Sequence, residues 1–301
     1  MFRIIQKRNW LFVFSLIILI PGMIALGRWG LRLGIDFTGG TKLTVAFTDN
    51  RPAAPDLAKE ITDFGYGTAL VQTAGEKEAL IRLPTLTNDQ RQELLKKLQP
   101  KYTGLEEKSF ESIGPILGQE LWRRAATAVI LVLIAIVCYI SWAFRKVNIG
   151  PVPAWIYGLS AILALVHDLL IVVGIFSILG HYAGVEIDSL FVTALLTVLG
   201  FSVHDTIVVF DRIRERLTVG HEQSYEETVN LSLNQTMVRS LNTSLTTLLV
   251  LVALYLFGGL TIKNFVLALL IGIASGTYSS IFVASPLLVV YERWRAKKYQ
   301  K

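Results

Sequence analysis

LSAILALVHDLLIVVGIFSIL, residues 159–179, is an apolar run broken by one doublet of ionisable side chains, His167 and Asp168. It closes a longer apolar stretch, residues 152–179. Crossing the hydrocarbon core takes about 20 apolar residues as a helix, so this stretch reads as a membrane span. Residues 10–26, 125–144, 189–210, 241–257 and 265–290 satisfy the same rule. The sequence therefore predicts a polytopic α-helical membrane protein with six transmembrane helices.

Composition agrees. Of 301 residues, 52% are hydrophobic and 17% charged, and the mean hydropathy is +0.52, which excludes a wholly water-soluble enzyme. One cysteine forms no internal disulfide, and four histidines without a Cys-x-x-Cys give no zinc framework. The net charge of +6 gathers beside the apolar runs without aromatic interleaving, which favours bilayer orientation over nucleic-acid binding. Arg3, Lys7 and Arg8 precede the first span, and Ala25-Leu26-Gly27 is a weak cleavage-like triplet. That run is at the upper limit for a signal peptide, and five spans follow, so we read it as a retained helix.

Lys and Arg near span ends set orientation. Arg145 and Lys146 follow the second span, Arg212, Arg214 and Arg216 the fourth, and Arg293, Arg295, Lys297 and Lys298 the sixth. Both termini are thus expected in the cytoplasm. The domain reading is residues 1–27 for the N-terminus and first span, 28–122 for an extracytoplasmic domain, 123–290 for spans two to six, and 291–301 for a basic tail. Residues 211–235 are expected to form an amphipathic cytoplasmic connector, with Ser224-x-x-Glu227 as a capping box.

In the external segment, residues 43–47, 69–73, 79–83 and 105–110 read as strands, and residues 55–64 and 87–98 as helices. Thr87 with Gln90 makes a capping box, and Asp56 is placed at the start of the first helix. The order β-α-β-β-α-β is the ferredoxin-like unit. It contains no phosphate loop and no paired carboxylates, so it reads as a docking domain.

Charges within hydrocarbon cost at least about 2.5 kcal/mol, which makes intramembrane ionisable groups functional candidates. They are His167 and Asp168 in the third span, His204 and Asp205 in the fourth, and Arg239 at the fifth. The strings VHDLLIVV from Val166 and VHDTIVV from Val203 lie on antiparallel helices. His167 and Asp168 therefore offer a second polar layer, although a lone imidazole is more often hydrogen-bonded structure. Ser202 shares the face of Asp205 one turn away, whereas His204 points about 100° from it. Gln235, Arg239, Asn242, Thr243 and Thr246 form a polar stripe expected to face the bundle interior or water.

Two readings of Asp205 and Arg239 stay open. In one, Asp205 carries a proton, and motion of Arg239 toward or away from it switches its affinity. One charge moved through the membrane potential yields about 2.3 kcal/mol per 100 mV. About 5.5 kcal/mol carries a two-state element from 1:99 to 99:1. In the other, the pair is a static ion bridge. Ser202, His204 and Asp205 do not make a catalytic triad, because residues i and i+2 on a helix do not face each other. No His-x-x-x-His pair supports a metal site, and no glycine-rich cradle supports phosphoryl transfer. Gly272, Gly276, Ser280 and Ala284 recur every four residues in the sixth span, a small-residue face for close helix packing.

GIDFTGGT at residues 34–41, GFSVHDTIVVFDRIRE at 200–215, TSLTT at 243–247 after Arg239, and YLFGG at 255–259 together resemble the SecF proteins of the SecD/SecF protein-export family. The resemblance spans nearly the whole chain. It implies an accessory subunit of the Sec translocase in the bacterial inner membrane, related to the resistance-nodulation-division (RND) transporters. It also implies SecD as the complementary six-helix half, the SecYEG translocon and a translocating unfolded polypeptide as partners, and no cofactor beyond transported H+ or Na+. The family's acid and arginine fall on Asp205 and Arg239. Where the resemblance implies Asn before the acid, this chain has His204, which leaves the coupling ion open. Competing readings are a half-size RND-type exporter of small hydrophobic molecules and a scaffold of the translocon without energy transduction.

Overall fold

The computed structural model describes residues 2–48, 51–102, 104–144, 150–220 and 224–299. Arg145 and Lys146, used above for orientation, lie outside them. The chain divides into two compact units, residues 33–127 on one side and residues 1–32 with 128–301 on the other.

The smaller unit contains α2 (Ile35–Thr38), β1 (Gly40–Ala46), α3 (Ala54–Asp63), β2 (Leu70–Ala74), β3 (Glu78–Leu83), α4 (Asn88–Leu98) and β4 (Glu106–Ile113). Its sheet runs β2-β3-β1-β4, with every neighbouring pair antiparallel. Alternation puts Leu43 and Val45 of β1 and Ala79, Ile81 and Leu83 of β3 on the buried face, where Leu57 and Ile61 of α3 and Leu94 and Leu98 of α4 cover them. Thr87 and Gln90 cap α4 reciprocally: Gln90 N–H donates to Thr87 Oγ1 and Thr87 N–H to Gln90 Oε1. Asp56 does not cap α3. Ala53 is the N-cap, with proline in the first positions, and Asp56 sits inside the first turn, where its charge suits the helix dipole. The glycines of GIDFTGGT turn the chain out of α2, Gly39 at φ 74° and Gly40 at φ 127°. A Cβ on Gly39 would meet Pro115 Cα at 2.7 Å, so space as well as backbone angle requires glycine there.

The helices α1 (Arg8–Trp29), α5 (Pro115–Ala143, whose residues 115–127 belong to the smaller unit), α6 (Ala154–Ala183), α7 (Ser189–Val219), α8 (Tyr225–Phe257) and the pair α9 (Leu260–Ser279) and α10 (Ser285–Tyr299) supply six helices long and apolar enough to cross a membrane. Several outrun their apolar cores. Residues 211–219 continue α7, and residues 225–235 form the first turns of α8. Among the described residues the expected connector is therefore the meeting ends of two long helices. Gly220 closes α7 at φ 70° and Ser224 Oγ caps α8. Asn230 and Asn234 of α8 each accept a backbone N–H from the N-terminal segment and return a side-chain N–H to Phe2 O, tying the chain start to α8.

Between α9 and α10, residues Ser280–Ala284 form one π turn. Ser285 Oγ donates to Ser280 O at 3.0 Å. Such turns frequently mark functional sites. Close backbone approaches fix the helix positions. Gly22 of α1 lies on Gly174 of α6, where an added Cβ would meet Gly22 Cα at 2.7 Å. The small-residue face of the last span packs on α7, with Gly272 against Val198 and Gly276 against Ser202.

Candidate functional site

The polar centre of the membrane unit is built from α6, α7, α8 and α9. Asp168, 0% exposed, accepts from Ser275 Oγ at 2.7 Å on Oδ1. Oδ2 accepts from Ser202 Oγ and Ser279 Oγ, each at 2.7 Å. His167 Nδ1 lies 3.1 Å from Oδ1. A carboxylate offers about four acceptor sites, and here four groups converge on them. The His167 ring faces that of Tyr278 with centroids 6.3 Å apart, while its Nε2 is buried with no partner among the described residues.

Asp205, 3% exposed, has a different shell. The hydroxyls of Thr277, Ser240 and Ser244 face it, yet its Oδ2 closes no hydrogen bond among the described residues, and neither does Ser240 Oγ. Ser244 and Thr277 bond to each other at 2.5 Å, tying α8 to α9 beside the acid. At the next residue of α7, Thr206 Oγ1 pairs with Ser280 Oγ at 2.8 Å, at the first residue of the π turn.

Ser202 links the surroundings of the two acids. It binds Asp168 while lying one turn before Asp205 on α7. His204 points away and is exposed, as adjacent positions on a helix require. Gln235, Arg239, Asn242, Thr243 and Thr246 do not face the interior of their own bundle, because all five are exposed on the flank of α8. Arg239 forms no ion pair with Asp205 among the described residues. It lines a recess of about 460 Å³ with Asp211, Arg212, Glu215, Gln235 and Thr236. The thread of Ser240 and Ser244 turns inward instead, since the packing of α7 and α9 selects which face of α8 is covered. Ser280 and Ala284 are both fully buried.

Sequence reasoning missed Ser275, Ser279, Thr277, Ser240 and Ser244. Ser275 with Ser279 and Ser240 with Ser244 recur at i, i+4, the signal of a shared helical face. Of these, Ser275 and Ser279 donate to Asp168, and Ser244 pairs with Thr277.

Comparison with known proteins assigns the chain. A family profile described as "Protein export membrane protein SecD/SecF, C-terminal" matches residues 93–294, and one for the SecD/SecF GG motif matches residues 26–50. The chain is 49% identical to the protein translocase subunit SecF of Thermobaculum terrenum, over 97% of this chain and 94% of that one. It is 41% identical to the SecF of Anaerolinea thermophila, over 98% and 96%. The crystal structure of SecDF from Thermus thermophilus, a translocon-associated membrane protein, superposes with a TM-score of 0.84 at 35% identity. That match covers 97% of this chain and 39% of the longer SecDF chain. With buried acids on α6 and α7, six membrane-type helices and family matches over nearly its whole length, the chain belongs to the SecD/SecF protein-export family, among its SecF members.

Proposed function

We propose that the chain works as a SecF-type accessory subunit of the Sec translocase, using the proton gradient to drive late steps of protein export without covalent catalysis. One observation carries the reading. Asp205 is buried among the hydroxyls of Thr277, Ser240 and Ser244, and its Oδ2 closes no hydrogen bond among the described residues, a polar shell suited to taking up and releasing a cation. Arg239 lies on the exposed flank of α8, apart from Asp205 in this state, so its approach in another state would oppose cation binding. Ser202 donates to Asp168 and His204 points outward, which favours transport over nucleophilic chemistry.

A polar stripe on an apolar helix does not face lipid at equilibrium. The exposed row from Gln235 to Thr246 therefore calls for a covering surface, and the complementary six-helix half, SecD, is the partner in this reading. The SecDF description of the solved relative supports it. SecYEG and an unfolded polypeptide complete the assembly. Short-loop Lys and Arg support cytoplasmic termini in a bacterial inner membrane. The element order and the sheet order β2-β3-β1-β4 support a ferredoxin-like extracytoplasmic domain.

Export into inverted vesicles under an imposed pH or sodium gradient tests the reading. Asp205→Asn is expected to lose the gradient-stimulated component while the complex still assembles. Retention of that component would identify a scaffold, and stimulation by sodium alone would replace the proton as coupling ion.

A further inference from the structure

Helix α9 reaches both acids from one short stretch. Ser275 and Ser279 donate to Asp168, while Thr277, between them in sequence, faces Asp205 and bonds Ser244. Gly276 lies against Ser202, where an added Cβ would meet Ser202 Cβ at 2.9 Å. Ser280 then closes on Thr206 and opens the π turn. The height and rotation of α9 against α7 thus fix where Thr277 stands relative to Asp205, and three serine bonds to Asp168 fix that height.

We infer that Asp168 is a positioning residue, a hydrogen-bonded staple that joins α6, α7 and α9 and sets the hydroxyl shell of Asp205 without carrying an ion. Three serine hydroxyls donate to it and the His167 ring nitrogen lies against Oδ1, so a transferable cation would have to displace at least one of these groups. The three serine bonds are short, 2.7 Å each, at the strong end of the range for hydroxyl donors. The charged and titratable groups around it are His167 on its own helix, Tyr278 of α9 against that imidazole, and Asp205 with outward-pointing His204 on α7. Helices α1 and α8 present Ser15, Ser240 and Ser244 toward this region, with Arg239 on the exposed flank of α8. The inference rests on Asp205 being the ion carrier.

Asparagine separates a staple from a carrier. It keeps the size and one acceptor oxygen of aspartate, and serine hydroxyls can turn to accept from its NH2, but it holds no transferable proton. In the full translocase in inverted vesicles, Asp168→Asn is expected to keep most gradient-stimulated export. Asp168→Ala is expected to lose about tenfold, the equivalent of one lost strong hydrogen bond. Infrared difference spectra provide a second readout. The carboxyl band missing in Asp205→Asn should stay in place in Asp168→Asn and shift in Asp168→Ala. If the alanine variant does not assemble, the double variant Ser275→Ala/Ser279→Ala is used, with the same loss and band shift expected. Assembled Asp168→Asn that is as inactive as Asp205→Asn overturns the inference, because Asp168 then carries the ion. Normal export and an unmoved band in Asp168→Ala, or in the double variant, overturn it also. Retained export in Asp205→Asn would instead sink the carrier reading beneath it.

Discussion

Asp168 and Asp205 sit on neighbouring helices of one unit, both buried, and differ in how their oxygens are used. Asp168 has Ser202, Ser275, Ser279 and His167 on its two oxygens. Asp205 has three hydroxyls facing it and an Oδ2 that closes no bond among the described residues. A buried polar group left unsatisfied costs about 1–3 kcal/mol, more when charged. Three short serine bonds hold Asp168, whereas the hydroxyls at Asp205 face it without closing a bond to Oδ2 among the described residues, so the fold treats the two acids differently. Burial alone does not distinguish them; the shell around each carboxyl does.

The largest effect that could break this contrast is at Asp205 itself. Asp205→Asn should remove gradient-stimulated export entirely, read as the difference in export with and without the imposed gradient. Next comes the shared face of α9. Gly272→Leu drives a side chain into Val198, and overpacking of this kind costs about 1–3 kcal/mol. We expect a lower melting temperature in detergent, followed by tryptophan fluorescence, with export falling in step because both acids lose their common support. A smaller effect sharpens the contrast. Ser240 Oγ has no partner among the described residues, so Ser240→Ala should leave the melting temperature nearly unchanged. If that hydroxyl serves the ion, the gradient needed for half-maximal export should still rise about threefold, roughly the worth of one modest hydrogen bond. An unchanged gradient dependence would remove Ser240 from the site. Smallest for export is Thr87→Ala in residues 33–127. It should cost that unit about 1 kcal/mol through its lost cap, measured by hydrogen exchange on the full chain, while stimulated export holds.

Much of this was legible in the residues. Apolar length gave the spans, and alternation gave the four strands to within a few residues, because both signals are local. Asp205 and Asp168 stood out through the cost of a charge in hydrocarbon. The partners of Asp168 were hidden, since Ser275 and Ser279 lie more than a hundred residues away and look like spacers beside Gly272 and Gly276. The polar stripe of α8 was found as a stripe, but periodicity states that residues share a face and not which neighbour that face meets. The Gly22 and Gly174 contact was likewise silent, because a lone glycine in an apolar run carries no mark of its partner.

The sequence by itself determined six apolar helices, a small mixed α and β unit between the first two, and two acids that lipid alone would not tolerate. Those follow from transfer free energies and from periods of 3.6 and 2 residues, which are properties of short segments. Only the tertiary structure decided that Ser202 belongs to Asp168, that Thr277 and Ser244 stand by Asp205, and that Arg239 looks outward. Side-chain hydrogen bonds act over about 3 Å, so which donor fills which acceptor depends on the rotation and height of packed helices, fixed here by glycine contacts far apart in the chain.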